Sequence, residues 1–256
     1  MKLRNAWIVA LFGMTVLGAS AETARPLLTK ENRLPEVRQL ELGLVTEFRE
    51  TEISETEDLS TWTFSPELRY GLAPELIVTL AIPGVRQELG EDDTENGLGD
   101  IQLGLEFLAW EDIFHYPYLL PYLEIGLPTG DEDKGLGYGD ATANVGLAIG
   151  TTVYETLTYA LDAGYRFLQD AGNVFSVSGA LIYELSKQTS ILVEGEFEEA
   201  HEGEEDDRVL VLGGLTYKPT PKWFVGLYAG ARVDGEEEDP VGGAKVTYTF
   251  KAFAPR

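Results

Sequence analysis

Cysteine is absent from this sequence of 256 residues, and histidine is rare, with only His115 and His201 present. Without thiols the chain forms no disulfide and offers neither a thiol nucleophile nor a thiolate ligand to a metal. Two histidines are too few for a His-rich metal site. A hydrolase of the Ser-His type would need one of them beside a serine and an orienting partner, and neither lies in a predicted strand. The sequence therefore predicts no enzymatic activity and no cofactor.

Positive charge is also scarce, with 19 Lys and Arg against 44 Asp and Glu and a net charge of -25. Nucleic-acid binding is excluded at this charge because phosphate contacts need a basic footprint. The acids cluster in five runs, at 50–58, 90–96, 131–133, 202–207 and 235–239. Such runs are typical of solvated surfaces, and surface carboxylates also suit high salt. Because Ca²⁺ prefers oxygen ligands, weak Ca²⁺ binding at the acidic loops is a further candidate, best at 90–97.

Long hydrophobic runs are missing as well. Residues 6–17 are apolar but fall short of the about 20 residues that a transmembrane helix needs. Lys2 and Arg4 precede this run, and the small residues 19–21 follow it. This is the pattern of a secretory signal peptide that is cleaved before Glu22. We therefore expect residues 1–21 to be a signal peptide, and residues 22–35 to be a polar N-terminal lead-in to the exported protein.

The rest of the chain alternates between apolar and polar side chains. In GLGDIQLGLEFLAW (97–110), apolar residues at every second position alternate with Asp100, Gln102 and Glu106. One such segment fits a half-solvated sheet or a lipid-facing barrel strand equally well. The period of two predicts twelve strands, at about 38–49, 61–70, 75–83, 98–110, 118–128, 139–152, 157–168, 174–185, 189–199, 208–218, 223–234 and 241–250.

The connections between these strands decide between the two interpretations. Those after strands one, three, five, nine and eleven are long or acidic, whereas the others include tight turns such as KPTPK (218–222). Bacterial outer-membrane barrels sort their loops in this way, with short periplasmic turns and longer extracellular loops. The sequence therefore predicts an all-β fold, a transmembrane antiparallel up-and-down β-barrel of about 12 strands over residues 36–256. The predicted extracellular segments are 50–60, 84–97, 129–138, 200–207 and 235–240.

Aromatic residues lie near the ends of the predicted strands. We expect them to form the girdles that anchor a barrel at the two membrane interfaces. They are Trp62, Tyr70, Trp110, Tyr118, Tyr217, Trp223 and Tyr248.

The polar face of the strands carries more acids than bases, and we expect it to line a hydrated lumen. The predicted lumen-lining residues are Glu41, Glu67, Arg69, Glu106, Glu124, Asp162, Arg166, Glu194, Glu196 and Arg232. Ion-pair ladders between neighbouring strands are one role for them. The excess of acids would also bias a pore weakly toward cations or neutral solutes.

Several short motifs point to one family. GLGD (97–100), YLEIGLPTGD (122–131) and the repeats from RYGLAPEL (69–76) to VTYTF (246–250) resemble the outer-membrane family of the meta-pathway of phenol degradation, a set of MetA-like transporters. The resemblance implies an outer-membrane barrel that moves small, often hydrophobic or aromatic, molecules, and it brings no catalytic residues. The C-terminus departs from the common barrel pattern because six residues follow Phe250.

These observations predict a porin-like barrel in the bacterial cell outer membrane for passive passage or uptake of small molecules. Its expected partners are membrane lipid, small-molecule solutes and the barrel assembly machinery. Two alternatives stay open. One is a non-conducting structural or adhesive barrel that displays acidic extracellular loops, and the other is a lipid-modifying enzyme.

Overall fold

The chain is built almost entirely of β-strands. A computed structural model describes residues 25–27, 29–30, 35–54, 57–90, 93–110, 117–153, 156–168, 172–201, 207–234 and 237–251. The strands are β1 Gln39–Ser54, β2 Glu57–Ala73, β3 Leu76–Ala81, β4 Gly84–Leu89, β5 Asp93–Leu98, β6 Ile101–Phe107, β7 Tyr118–Leu127, β8 Thr142–Val153, β9 Leu157–Phe167, β10 Asn173–Ser186, β11 Thr189–His201, β12 Arg208–Thr220, β13 Trp223–Asp234 and β14 Glu237–Lys251. One turn of 3₁₀ helix, Glu132–Lys134, lies between β7 and β8. In this described part of the chain, no helix is long and apolar enough to cross a membrane.

The strands close into a barrel. All pairing is antiparallel and, except around β3–β6, it joins neighbours along the chain; β1 completes the ring by pairing with both β2 and β14. Two of the wall strands are broken. β3 and β4 both pair with β2, while β6 pairs with β3 and β5 with β4. The fold is therefore a closed antiparallel barrel of twelve wall strands, which confirms the predicted fold class.

Proline explains the first break. Pro83 follows β3, and it has no N–H to donate to a neighbouring strand. Opposite this point Gly99 separates β5 from β6, and its N–H donates to the Pro83 carbonyl at 2.7 Å. One irregular hydrogen bond therefore joins the two wall strands at the break, and regular antiparallel pairing continues on both sides of it.

Side-chain burial follows the predicted alternation. In β11, Ile191 and Val193 are 44% and 57% exposed, whereas Leu192 and Glu194, which alternate with them, are buried. Exposed Leu, Val and Phe side chains cover the outward face of most other strands. In a membrane barrel this outward apolar band meets lipid.

The aromatic residues split between the two faces. Trp62, Trp110 and Trp223 face outward and are exposed, as expected for interfacial side chains, and the Trp223 and Tyr248 rings lie 4.8 Å apart. Tyr118 differs from the prediction, because it is 2% exposed and faces the lumen. Its position as the first residue of the strand resembled that of an interfacial aromatic residue, but its register places it inside.

Tyrosines pack over glycines inside the barrel. Tyr122 and Tyr228 are paired across the ladder with Gly146 and Gly243, and a Cβ built on either glycine would overlap the tyrosine ring. A tyrosine therefore lies flat on the neighbouring strand where the glycine leaves room. These pairs fill lumen space that two larger side chains could not share.

Strands continue into segments that we expected to be extracellular loops. Residues 50–54, 57–60, 84–89, 93–97 and 237–240 belong to β1, β2, β4, β5 and β14. β1 and β2 have 16 and 17 residues, more than the about 11 that a spanning strand needs. Where a strand extends beyond the membrane, neither of its faces has to be apolar. The strands therefore stay paired there, although the sequence no longer alternates between apolar and polar residues. These loop predictions were wrong at the strand boundaries.

Candidate functional site

The described residues between 25 and 30 lie inside the barrel, and we call them the luminal segment. Residues 35 and 36, which precede β1, lie next to Gly71 near the end of β2, at the end of the barrel where the short turns lie. A Cβ on Gly71 would overlap the Glu36 carbonyl oxygen, so only glycine permits this close approach. Arg38 has a φ of 65° and donates its N–H to the Gly71 carbonyl at 2.8 Å, where the chain turns into β1.

Arg25 anchors one end of the luminal segment. Its guanidinium contacts both carboxylate oxygens of Glu41, at 3.0 and 3.1 Å, and donates to Thr247 Oγ1 at 3.3 Å. Its Cζ lies 4.8 Å from the centre of the Phe224 ring. Arg25 is 2% exposed, so this bidentate pair is shielded from water.

Glu194 holds the middle of the luminal segment. This carboxylate on β11 is 1% exposed, and it accepts hydrogen bonds from the N–H groups of Leu27 and Thr29, the latter at 3.1 Å. It also accepts from the Thr29 hydroxyl at 3.3 Å. A side chain in the wall therefore binds the backbone of the segment, in the way that backbone N–H groups bind an anion.

Lys30 anchors the other end. Its ammonium forms ion pairs with Glu124 and, at 3.5 Å, with Glu106, and it lies 5.1 Å from the centre of the Tyr122 ring. Its carbonyl accepts a hydrogen bond from the Tyr118 hydroxyl at 3.0 Å. This last contact uses the tyrosine whose inward orientation the sequence did not predict.

Arg69 joins the two ends across the wall. It contacts Glu106 Oε2 at 3.0 Å and Glu41 Oε1 at 3.4 Å. Charges of alternating sign therefore run from Arg25 through Glu41, Arg69 and Glu106 to Lys30. Four of the predicted lumen-lining residues, Glu41, Arg69, Glu106 and Glu124, belong to this network.

The other predicted lumen-lining residues lie on the inward faces of their strands. Glu67 is 3.6 Å from Lys245, and Asp162 accepts a hydrogen bond from the Tyr122 hydroxyl at 2.9 Å. Arg166 is 3.8 Å from Glu198. Glu196 and Arg232 are half-buried on β11 and β13, beyond the luminal segment. Their role in passage stays a prediction.

The luminal segment leaves an open space along one side of the lumen. This cavity has a volume of about 260 Å³ and lies between the segment and strands β1, β2, β3, β6 and β7, with β13 and β14 contributing one side chain each. Its charged lining residues are Lys30, Glu47, Glu67, Arg69, Glu106, Glu124 and Lys245. The rest of the lining combines small residues such as Thr79 and Ala81 with apolar ones such as Leu27 and Val45, so the open side of the lumen is charged but not uniformly polar.

The opposite side of the lumen is apolar. Ten buried residues form one cluster there, namely Leu27, Ala160, Ala180, Ile182, Leu192, Leu210, Leu212, Phe224, Tyr228 and Val241. All but Leu27 belong to strands β9–β14. We had expected a polar lumen throughout, because the alternation shows which face is more polar and does not show that inward aliphatic residues gather on adjacent strands.

Asp100 organises the connection between β7 and β8, residues 128–141. Its carboxylate accepts the Gly130 N–H at 2.9 Å and the Tyr138 N–H at 2.8 Å. Leu136 is 4% exposed and lies on Gly97, where a Cβ would be 2.8 Å from Leu136 Cδ1. The two motifs that carry the family resemblance, 97–100 and 122–131, therefore meet in space.

Lys134 ties the tip of this connection to β5. It forms an ion pair with Glu95 at 3.1 Å, and this hydrogen-bonded contact, together with the charges of Glu95 and Asp131, raises the pKa of Lys134. The pair is solvent-exposed, so its contribution to stability is small.

No cluster of three or more metal-ligating side chains occurs within the described residues. The best Ca²⁺ candidate, 90–97, lies partly outside the described residues, at 91 and 92, as does most of the acidic run 202–207. His115 also lies outside them, and His201 is the last residue of β11.

Sequence reasoning missed the luminal segment. Nothing in the polar composition of residues 22–35 indicated a position inside the barrel. One signal was present, because the predicted lumen has an excess of acids, and Arg25 and Lys30 are cations near its entrance. Charge complementarity could have suggested that they enter it.

Comparisons with known proteins agree on the type of fold. The model of the family described as "Putative MetA-pathway of phenol degradation" matches residues 32–250. The structure of the COG4313 outer membrane channel from Pseudomonas putida F1 superposes with a TM-score of 0.71 at 14% identity, covering 89% of this chain and 100% of that one. The NanC porin gives a TM-score of 0.58 at 9% identity over 81% and 98% of the two chains. The translocator domain of the autotransporter NalP from Neisseria meningitidis gives 0.56 at 13% identity over 83% and 88%. A search of curated protein sequences finds no significant match.

Proposed function

Because the chain belongs to the family of the MetA pathway of phenol degradation and is an outer-membrane barrel, we propose that it passes small molecules across the bacterial outer membrane through its lumen. The observation that carries this proposal is the cavity of about 260 Å³ beside the luminal segment. A barrel of this size can be filled by inward side chains. Here most of the residues that line the cavity are small or polar, which leaves room for a solute.

The charges around the cavity support a weak preference for cations or neutral solutes. Four carboxylates line it, on Glu47, Glu67, Glu106 and Glu124, against three cationic side chains. Two anchors of the luminal segment, Arg25 and Lys30, reduce the acid excess that the wall alone carries. The bias is therefore smaller than the sequence of the wall suggests, and it depends on the segment.

The apolar side of the lumen supports hydrophobic or aromatic molecules as a solute class, which the family resemblance also implies. A uniformly charged tube would exclude such solutes through the cost of displacing its bound water. In this lumen, Leu27 and Tyr228 of the apolar cluster border the cavity, and aliphatic and aromatic side chains such as Leu192 and Phe224 lie behind them. No catalytic step is proposed.

Other features of the sequence stay proposals. Residues 1–21 are proposed as a signal peptide and 36–256 as the barrel domain, with the acidic end outside the cell. Outer-membrane lipid and the barrel assembly machinery are the proposed partners, with weak Ca²⁺ binding at the acidic loops.

Ion selectivity in planar bilayers tests the proposed function. Lys30→Gln should shift the reversal potential in a KCl gradient toward cations, and Glu67→Gln should shift it the other way. Glu88→Gln, on the outward face of β4, is the matched control and should leave the potential unchanged. The shifts should shrink between about 0.1 M and 1 M salt, since the Debye length falls from about 10 to 3 Å.

An anion-selective channel would contradict the charge argument. The absence of any conductance, in wild type and variants, would contradict passage itself. It would favour a structural or adhesive barrel that displays acidic extracellular loops.

A further inference from the structure

We propose that the Leu27 side chain occupies a binding subsite for small apolar solutes in the barrel wall, so that the luminal segment is an internal competitor for the solute. This inference rests on the proposed function and adds the location of the subsite and the way in which it is blocked.

The subsite is defined by a notch at Gly226. On β13, Phe224 and Tyr228 flank Gly226 on the inward face, and all three are buried. A Cβ on Gly226 would overlap Leu27 Cδ2 and lie 3.5 Å from Phe224 Cε1. The absence of a side chain there leaves a recess, and a leucine side chain fills it.

Apolar side chains of the buried cluster surround the recess. Leu27 packs into the cluster that contains Leu192, Leu212 and Phe224, and it is 8% exposed. Of this cluster, Leu27 and Tyr228 alone border the open cavity within the described residues. Leu27 therefore separates the apolar wall from the polar space, and its movement would connect the two.

The contacts of the segment allow such movement. No covalent bond ties Leu27 to the wall, and its backbone is held by Glu194 through hydrogen bonds that water can replace. Arg25 and Lys30 keep the segment nearby through ion pairs on the polar side. A solute with an apolar group about as large as a leucine side chain or a single ring recovers the burial that Leu27 loses. The ligand class is thus a small uncharged hydrocarbon or its weakly polar derivative.

Binding of 4-fluorotoluene to the full mature protein in lipid nanodiscs, followed by ¹⁹F NMR, tests the subsite. Leu27→Ala vacates the recess and should bind the probe about tenfold more tightly than wild type. Adding Gly226→Leu refills the recess and should abolish this gain. Leu227→Ala is the matched control, because it removes the same side chain from the adjacent, 53% exposed outward position. Equal binding by all four proteins would show only partitioning into lipid and would overturn the proposal.

A reversible cross-link tests the competition. The native chain has no cysteine, so a Leu27→Cys/Gly226→Cys pair introduces the only two thiols. The oxidised protein should fail to bind the probe, and reduction should restore binding. Binding that is the same in both states, or failure of the disulfide to form, would overturn the proposal.

Conductance separates this proposal from the proposed function. Probe binding at Leu27→Ala in a barrel that never conducts would retain the subsite and contradict passage. Conductance with no probe binding would contradict the subsite alone.

Discussion

A buried carboxylate needs partners for both oxygens, because an unpaired charge out of contact with water is strongly unfavourable. Glu194 meets this requirement with donors from the luminal segment, chiefly the N–H groups of Leu27 and Thr29. The alternation of apolar and polar residues in β11 predicted from the sequence that Glu194 faces inward. Its partner could not be predicted, since 167 positions separate Leu27 from Glu194 and no local pattern links them.

Glu194→Gln should loosen the luminal segment without unfolding the barrel. The amide keeps one acceptor oxygen but presents an NH₂ group to a backbone N–H, which costs about 1–3 kcal/mol for an unsatisfied buried donor. We expect larger and noisier single-channel currents than for wild type. Glu196→Gln, two residues along the same face but beyond the segment, should leave the current noise unchanged. Identical noise in the two variants would contradict the role of Glu194 as an anchor.

The tyrosine–glycine pairs inside the barrel depend on the absence of a Cβ atom on the glycine. Gly146→Ala places a methyl group where the Tyr122 ring lies, so the ring must move and lose its hydrogen bond to Asp162. Overpacking of this kind costs about 1–3 kcal/mol. The urea midpoint of the folded barrel should fall, whereas Gly213→Ala, where the nearest atom is 3.9 Å away, should change it little. A similar midpoint for both variants would contradict close packing in the lumen.

At the scale of elements, the sequence predicted every wall strand but not all of their boundaries. Twelve alternating segments were sufficient because lipid imposes a strict apolar face over the membrane thickness. The extensions 50–54 and 57–60 were not recognisable, because paired strands in water need no such face. The predicted loop 129–138 is irregular in the structure, but β8 begins at Thr142 and not at the predicted residue 139. The attachment of this connection to Asp100 depends on residues 30 and 38 positions apart, which no local pattern links.

Asp100→Asn should release the connection 128–141 from the wall. The amide nitrogen would face one of the two N–H donors, so one hydrogen bond is lost. Trypsin should then cleave after Lys134 about tenfold faster, while the barrel keeps its heat-modifiable gel migration. Asp133→Asn, an exposed acid in the same connection, is the control and should be cleaved like wild type. Equal cleavage rates for the two variants would contradict the attachment.

The whole molecule combines a rigid wall with a short chain segment inside it. The wall closes through continuous hydrogen bonding from β1 to β14, so its cross-section is fixed. The luminal segment divides that cross-section into a polar open side and an apolar side that Leu27 covers. The space left open in the lumen therefore depends on where the luminal segment lies, and composition alone could not reveal this.

Single-channel conductance of the mature chain with and without residues 25–30 tests the central claim that this segment restricts the lumen. The deletion removes Arg25 and Lys30, so it should raise the conductance severalfold and increase the preference for cations. Refolding of both proteins is checked by heat-modifiable migration, and the deletion should not prevent it because every hydrogen bond between wall strands remains. Unchanged conductance and selectivity in a folded deletion variant would contradict the account.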